Sequence, residues 1–151
     1  MPRHDARALV TVLVVVLALS GCAVRLVADY DAATEDALLR AYEKINALYD
    51  RLAESPFGER DYGPVAERYG AIETDLRVLL LRQRGRESNS ESVGIAERLL
   101  ESWQSTRAEH KRRSAAGGDA PSAYPDSLIA LDRQQFDDHF MAAIAAEQAK
   151  K

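Results

Sequence analysis

Beyond residue 30, apolar side chains recur three and four positions apart, the spacing of one face of an α-helix and not of a strand. The first predicted helix runs from about Asp31 to Ala53, with Leu38, Ala41, Ile45, Leu48 and Leu52 on its stripe. Asp29 or Asp31 can cap its start, and Asp36 and Arg40 form a favourable pair one turn apart on the solvent side. Ser55-Pro56-Phe57-Gly58 ends it. The second runs from about Pro64 to Arg84, and Tyr62, Val65, Tyr69, Ile72, Leu76 and Leu79 keep the same spacing without a break. Pro64 suits a first turn, where its missing N–H is harmless, and Gly85 ends the segment.

A third helix is expected from Ser88, which with Glu91 has the form of a capping box. Val93, Ala96, Leu100 and Trp103 supply its buried face, and the pattern fades between Glu109 and Arg113. Ser114 to Tyr124, with Gly117-Gly118 and Pro121, reads as a flexible crossing. The fourth helix follows from about Asp126, with Leu128, Leu131, Phe136, Phe140, Ala143 and Ile144 inside and Asp132 as the one flaw in the stripe. The tail from Ala142 to Lys151 is a strong helix former by composition. No strand-period segment of useful length appears. The fold class that follows is all-α: an antiparallel bundle of three to four helices, short connections pairing the first three and the longer one letting the last close the core.

The first residues follow a different plan. Arg3 and Arg7 precede an apolar run from Ala8 to Leu19, broken only by Thr11. That run is shorter than the about 20 residues a helix needs to cross a hydrocarbon core of ~30 Å, and it fits the central region of a secretory signal. Ser20 and Gly21 are small, and Cys22, the only cysteine, follows. Leu19-Ser20-Gly21-Cys22 resembles the lipobox of bacterial lipoproteins. That resemblance implies a diacylglyceryl group on the Cys22 sulfur, cleavage before Cys22, and a further fatty acyl chain such as palmitate on the new amino group. It divides the chain into a signal peptide (1–21), a lipidated tether (22–29) and a helical bundle domain (30–151). Two or three acyl chains hold firmly, since each buried methylene contributes ~0.8 kcal/mol. Ala23 stands where an aspartate would favour inner-membrane retention, so the resemblance implies the periplasmic face of the outer membrane in a Gram-negative cell, or the cytoplasmic membrane in a Gram-positive one. The residues from Ala23 to Asp29 reach at most ~25 Å, which keeps the bundle near its membrane. Similarity to the small helical lipoproteins of bacteria is specific only over these first two dozen residues.

Charge narrows the partners. The formal charge is −4, and cleavage after Gly21 removes Arg3, Arg7 and Asp5, leaving −5. That acidity argues against nucleic acid and against a polybasic membrane patch, which leaves attachment to the lipid. Lys111, Arg112 and Arg113 lie where a helix C-terminus favours positive charge. With Cys22 committed to lipid, no intramolecular disulfide can form.

Catalytic and metal chemistry find little to work with. Asp137, Asp138 and His139 are adjacent, so on a helix they point in different directions and cannot share an ion. No Glu-x-x-His pair, Gly-x-Ser-x-Gly or phosphate-binding loop occurs, and Gly117-Gly118 lacks the Lys-Ser/Thr sequel. His139 and Met141 lie on different sides of one helix, a poor arrangement for haem, and both His110 and His139 are expected in solvent. No catalytic residue, metal or cofactor is therefore expected. Tyr42 and Tyr49 are two turns apart, as are Tyr62 and Tyr69, so neighbouring antiparallel helices could line one seam with these rings and set the hydroxyls at its rim as a partner or ligand surface. Trp103 reads as a core anchor. The expected function is a non-catalytic, lipid-anchored cell-envelope protein presenting a helical bundle to a periplasmic protein partner. The alternative is a small-ligand carrier or sensor with a pocket between the helices, lined by Tyr42, Tyr49 and Tyr69.

Overall fold

The computed structural model describes residues 27–116 and 124–151. The leader, Cys22 and the centre of the glycine-containing crossing lie outside the described residues. Four helices follow one another: α1 (Ala32–Glu54), α2 (Ala66–Arg84), α3 (Ser90–Ala115) and α4 (Asp126–Gln148), with 3₁₀ turns at Phe57–Glu59 and Gly63–Val65 between the first two. Cross-links run in opposite sense along each neighbouring pair. Lys44 meets Asp75 and Asp31 meets Arg82 between α1 and α2, while Glu73 meets Arg107 and Arg84 meets Glu97 between α2 and α3. Asp50–Arg133 and Glu35–Gln148 do the same for α1 and α4. α1 packs on α2 and α4, α3 packs on the same two, and the described residues form an all-α antiparallel bundle.

The predicted stripe of α1, Leu38, Ala41, Ile45, Leu48 and Leu52, is buried, and so is that of α2 and the turn before it, Val65, Tyr69, Ile72, Leu76 and Leu79, except for Tyr62 at its start, which is half-buried. Asp31 caps α1 by accepting the Ala33 N–H at 3.2 Å. Trp103 is fully enclosed, stacked on Tyr69 at 4.9 Å with its Nε1–H donated to the Tyr69 carbonyl at 3.0 Å. Phe136 meets its other side edge-on at 5.5 Å.

Two expectations about helix faces and ends are corrected. Ser88 does not begin α3: its φ of 52° puts it in the left-handed region, not the extended conformation of an N-cap, and the helix starts at Ser90. Asn89 precedes it, and its side chain turns back to donate to the Gln83 carbonyl and side-chain oxygen at 3.0 and 2.6 Å, closing the α2–α3 corner. Leu131 is 60 % exposed. The buried stripe of α4 is Ile129, Asp132, Phe136, Phe140 and Ala143, and Leu131 lies roughly 200° round the helix from Ile129. Leu128 and Ile144 flank the stripe, half-buried.

Polar groups lock both ends. At the distal end Arg60, 6 % exposed, donates to the carbonyls of Ala53, Ser55 and Tyr124 and pairs with Asp126, tying the end of α1 to the start of α4. At the other end the Glu147 carboxylate, 2 % exposed, accepts from Lys150 at 2.7 Å, Arg86 at 3.2 Å and the Asp31 backbone N–H at 2.7 Å. Lys150 also reaches Asn89 and Ser92, and Thr34 links Gln83 to Asp31. Burial pushes the Glu147 carboxyl up, but these donors outweigh it and hold the group below its ordinary 4.5. The Arg82 guanidinium likewise holds Asp31 well below the carboxylate range. Depressed carboxyls stabilise the fold above their ordinary range, and that stability is lost as pH falls through the folded-state values. Glu147→Gln therefore costs about 3 kcal/mol or more in urea unfolding at neutral pH, because Lys150 and Arg86 keep buried charge without its counterpart. The deficit narrows as the medium is taken below pH 4.5.

Candidate functional site

The four candidate tyrosines do not share one seam. Tyr42 and Tyr49 lean from α1 towards α4: the Tyr42 ring lies 5.3 Å from Phe140 and its hydroxyl donates to Asp137 at 2.7 Å, while Tyr49 packs on Phe136 at 6.3 Å. Tyr62 and Tyr69 lie 5.5 Å apart and turn towards α3, where Arg107 donates to the Tyr62 hydroxyl at 2.8 Å. Between α1 and α2 it is the Thr34–Gln83 and Lys44–Asp75 contacts that cross instead. Tyr49 and Tyr69 expose no surface at all, so no ligand chamber opens onto either ring. Tyr42 and Tyr62 remain half-buried at the rim.

What the tyrosines help to build is a polar cluster inside the bundle. Tyr124, fully buried just before α4, donates its hydroxyl to Asp132, and its ring lies 4.4 Å from His110. The hydroxyls of Tyr49 and Tyr69 are near enough to feel Asp132 and Tyr124. The Tyr49 hydroxyl has no hydrogen-bond partner among the described residues. His110 was expected in solvent and is instead completely buried, because it continues the α3 stripe one turn beyond Thr106. Its Nε2 lies 2.9 Å from the Arg60 carbonyl and its Nδ1 3.1 Å from the Tyr69 hydroxyl. A carbonyl only accepts, so Nε2 carries the proton and Nδ1 accepts from Tyr69.

Burial sets the charge states here. It lowers His110 below 6.5 against the pull of the Arg60 carbonyl and Asp61, and raises all three buried tyrosines, which stay neutral. It also raises Asp132 above 3.8, with Glu109 adding to the effect, while the Tyr124 hydroxyl and Arg113 oppose it. Asp132 also lines a solvent-open groove of about 500 Å³ between α3 and α4. Thr106 and Glu109 face it from α3, and Gln135 and His139 from α4. His139 is half-buried, and its Nδ1 is covered without a hydrogen-bond partner. At the rim Glu109 is held to about 2 by Arg112 and Arg113, which dock onto it at 2.6 Å, so two of the three basic residues closing α3 are engaged in the helix's own ion pairs.

No residue group suited to a metal ion occurs among the described residues, and no helix there is long and apolar enough to cross a membrane. Cys22 lies outside the described residues. Comparison of the chain with protein-family models, curated proteins and solved structures finds no match. Sequence reasoning missed the inward role of His110 and the whole of Tyr124. The available signal was the spacing Trp103, Thr106, His110, which prolongs the stripe of α3 by three and then four residues.

A carboxyl raised by burial destabilises the fold once it is charged: the penalty is absent below its ordinary value and grows as pH rises through the raised one. Asp132→Asn keeps an acceptor for Tyr124 and removes the charge. The variant melts at a higher temperature than the parent at pH 7, and the two melting curves converge when the scan is repeated below pH 3.8.

Proposed function

We propose that this is a non-catalytic, lipid-anchored protein of the cell envelope that presents a rigid helical bundle to a neighbouring envelope protein, with no nucleic-acid partner. The observation that carries the reading is how the chain enters the bundle. Ala28 is 9 % exposed and donates its N–H to the Ser88 carbonyl at 3.0 Å, Arg86 donates to the Asp29 carbonyl, and Asp31 is engaged by Arg82 and Glu147. The bundle thus takes hold of the chain at Ala28, six positions after Cys22. A short link of that kind suits a domain that works against a membrane. The packed aromatic interior adds to it, since a chain that keeps Tyr49, Tyr69 and Trp103 wholly enclosed has only its outer faces to offer a partner.

Intact mass of the protein recovered from membranes is the test. The mass equals acylated Cys22–Lys151, and Cys22→Ser abolishes both the added lipid and sedimentation with the membrane fraction. A chain that keeps residues 1–21 or carries an unmodified Cys22 sinks the anchor.

A small-ligand carrier or sensor is the second reading, and the α3–α4 groove favours it through the covered, unpartnered His139 Nδ1 and the Asp132 carboxyl group beside it. An anionic Asp132 in that groove suits a small organic cation. Putrescine at millimolar concentration shifts the His139 ring resonances on this reading, and unchanged spectra reject a cation carrier.

A further inference from the structure

Along the outer side of α2, Ala71, Thr74, Val78 and Leu81 form one exposed row spaced three, four and three residues apart. Val78 is 61 % exposed and Leu81 72 %, the latter the largest value among the bulky apolar residues described. Arg68, Arg77, Arg82 and Arg84 border the row and are exposed as well, with Glu67 the one exposed acid on this helix. Arg77, Arg82 and Arg84 each lean outwards onto a carboxylate, Glu73, Asp31 and Glu97, yet their side chains stay 60, 45 and 57 % exposed. A guanidinium has five N–H donors, so each of these retains donors beyond its ion pair. Apolar residues on one face flanked by arginines form the pattern of a helix lying in a membrane interface, where the arginine stems cover apolar surface and the heads meet lipid phosphates.

The position of the row relative to the chain's entry point names its occupant. Val27, itself 56 % exposed, borders a cleft with Arg82, Arg86 and Ser88, at the same end of α2 as Leu81. Fully extended, the link from Cys22 to Val27 spans at most ~18 Å. An acylated Cys22 therefore holds the bilayer within that distance of Val27, which shares its cleft with Arg82 at the end of α2 that carries Leu81. The overall charge of −4 hides this local arrangement, because the acidic residues of α2 other than Glu67 turn aside: Glu73 to Arg107 and Gln104 on α3, Asp75 to Lys44 on α1.

We propose that the outer face of α2, from Ala71 to Arg84, rests on the anionic lipid surface in which the acyl chains are embedded, so that the bundle lies on its side with α4 facing away from the membrane. The assignment rests on the lipid-anchor reading, and it adds a second attachment to the first. Acyl chains fix where the chain is held; the α2 face fixes which way up it lies.

The only native cysteine is consumed by lipid, so Leu81→Cys supplies a single reactive thiol, and Met141→Cys on α4, 64 % exposed, supplies the matching control. Each lipidated variant is labelled with an environment-sensitive fluorophore and reconstituted into phosphatidylglycerol–phosphatidylethanolamine vesicles carrying a brominated-lipid quencher. The label at residue 81 is quenched several-fold more strongly than the label at 141, and replacing the lipid with phosphatidylcholine reduces the difference. Equal quenching at the two positions overturns the proposal, as does protection at 81 accompanied by cross-linking of two copies through that residue, which would assign the row to a second chain. Intact mass of the same samples reports separately on the anchor. If Cys22 proves unmodified, the Cys22→Ser, Leu81→Cys chain is added to the same vesicles: selective quenching at 81 upholds the α2 face without the anchor, and its absence removes both.

Discussion

The buried carboxylate of Glu147 is the contact on which the arrangement of the four helices depends. Aliphatic stripes of similar spacing attract one another without specifying how far one helix has slid along its neighbour. Glu147 removes that freedom, because Lys150, Arg86 and the Asp31 N–H converge on it from just past the end of α4, from the α2–α3 corner and from the start of α1. A slide of one turn would strand a charge that is 2 % exposed, at a cost larger than any single apolar contact could recover. Arg60 acts in the same way at the far end, where one guanidinium gathers the carbonyls that α1 and the approach to α4 leave open. A chain with a single cysteine has no covalent staple of its own, and these two polar knots take that role.

Much of this was legible in the sequence. The stripes of α1 and α2 are complete, and their breakers, Ser55-Pro56 and Gly85, stand where the helices end. Legibility failed where one residue serves two purposes. Ser88 and Glu91 have the letters of a capping box, but Ser88 is needed in a left-handed turn that delivers Asn89 to Gln83 and offers its carbonyl to Ala28. Leu131 looked like core by chemistry, while its place on the helix wheel was taken by Asp132, which enters the interior because Tyr124 meets it there. The tyrosine spacing told which residues share a face of their own helix and not which neighbour that face meets. Glu147 and Lys150 sit in a segment whose composition speaks only of helix propensity, and no local pattern reveals that Arg86 lies across from them.

The interior cluster and the α3–α4 groove meet at Asp132. On its inner side stand groups held neutral by burial: Tyr49, Tyr69, Tyr124 and a His110 whose ring is oriented by a carbonyl at one nitrogen and a hydroxyl at the other. On its outer side the groove is lined by hydroxyls, an amide, His139 and the charged Arg98, Glu101 and Glu109. The aromatic stack through Tyr69, Trp103 and Phe136 is wholly buried among the same helices.

The bond from Ala28 to the Ser88 carbonyl has a consequence for how this protein would find other molecules. A domain on a long linker sweeps a hemisphere and can meet targets far from its point of attachment. Here Ala28 is already bonded to the bundle, four residues before the first helix begins. On the proposed anchoring of Cys22, the bundle would be confined to a layer about its own thickness, and its encounters would become a search in two dimensions among molecules that share the membrane. Local concentration then rises from confinement alone, and a contact too weak to persist in free solution becomes sufficient.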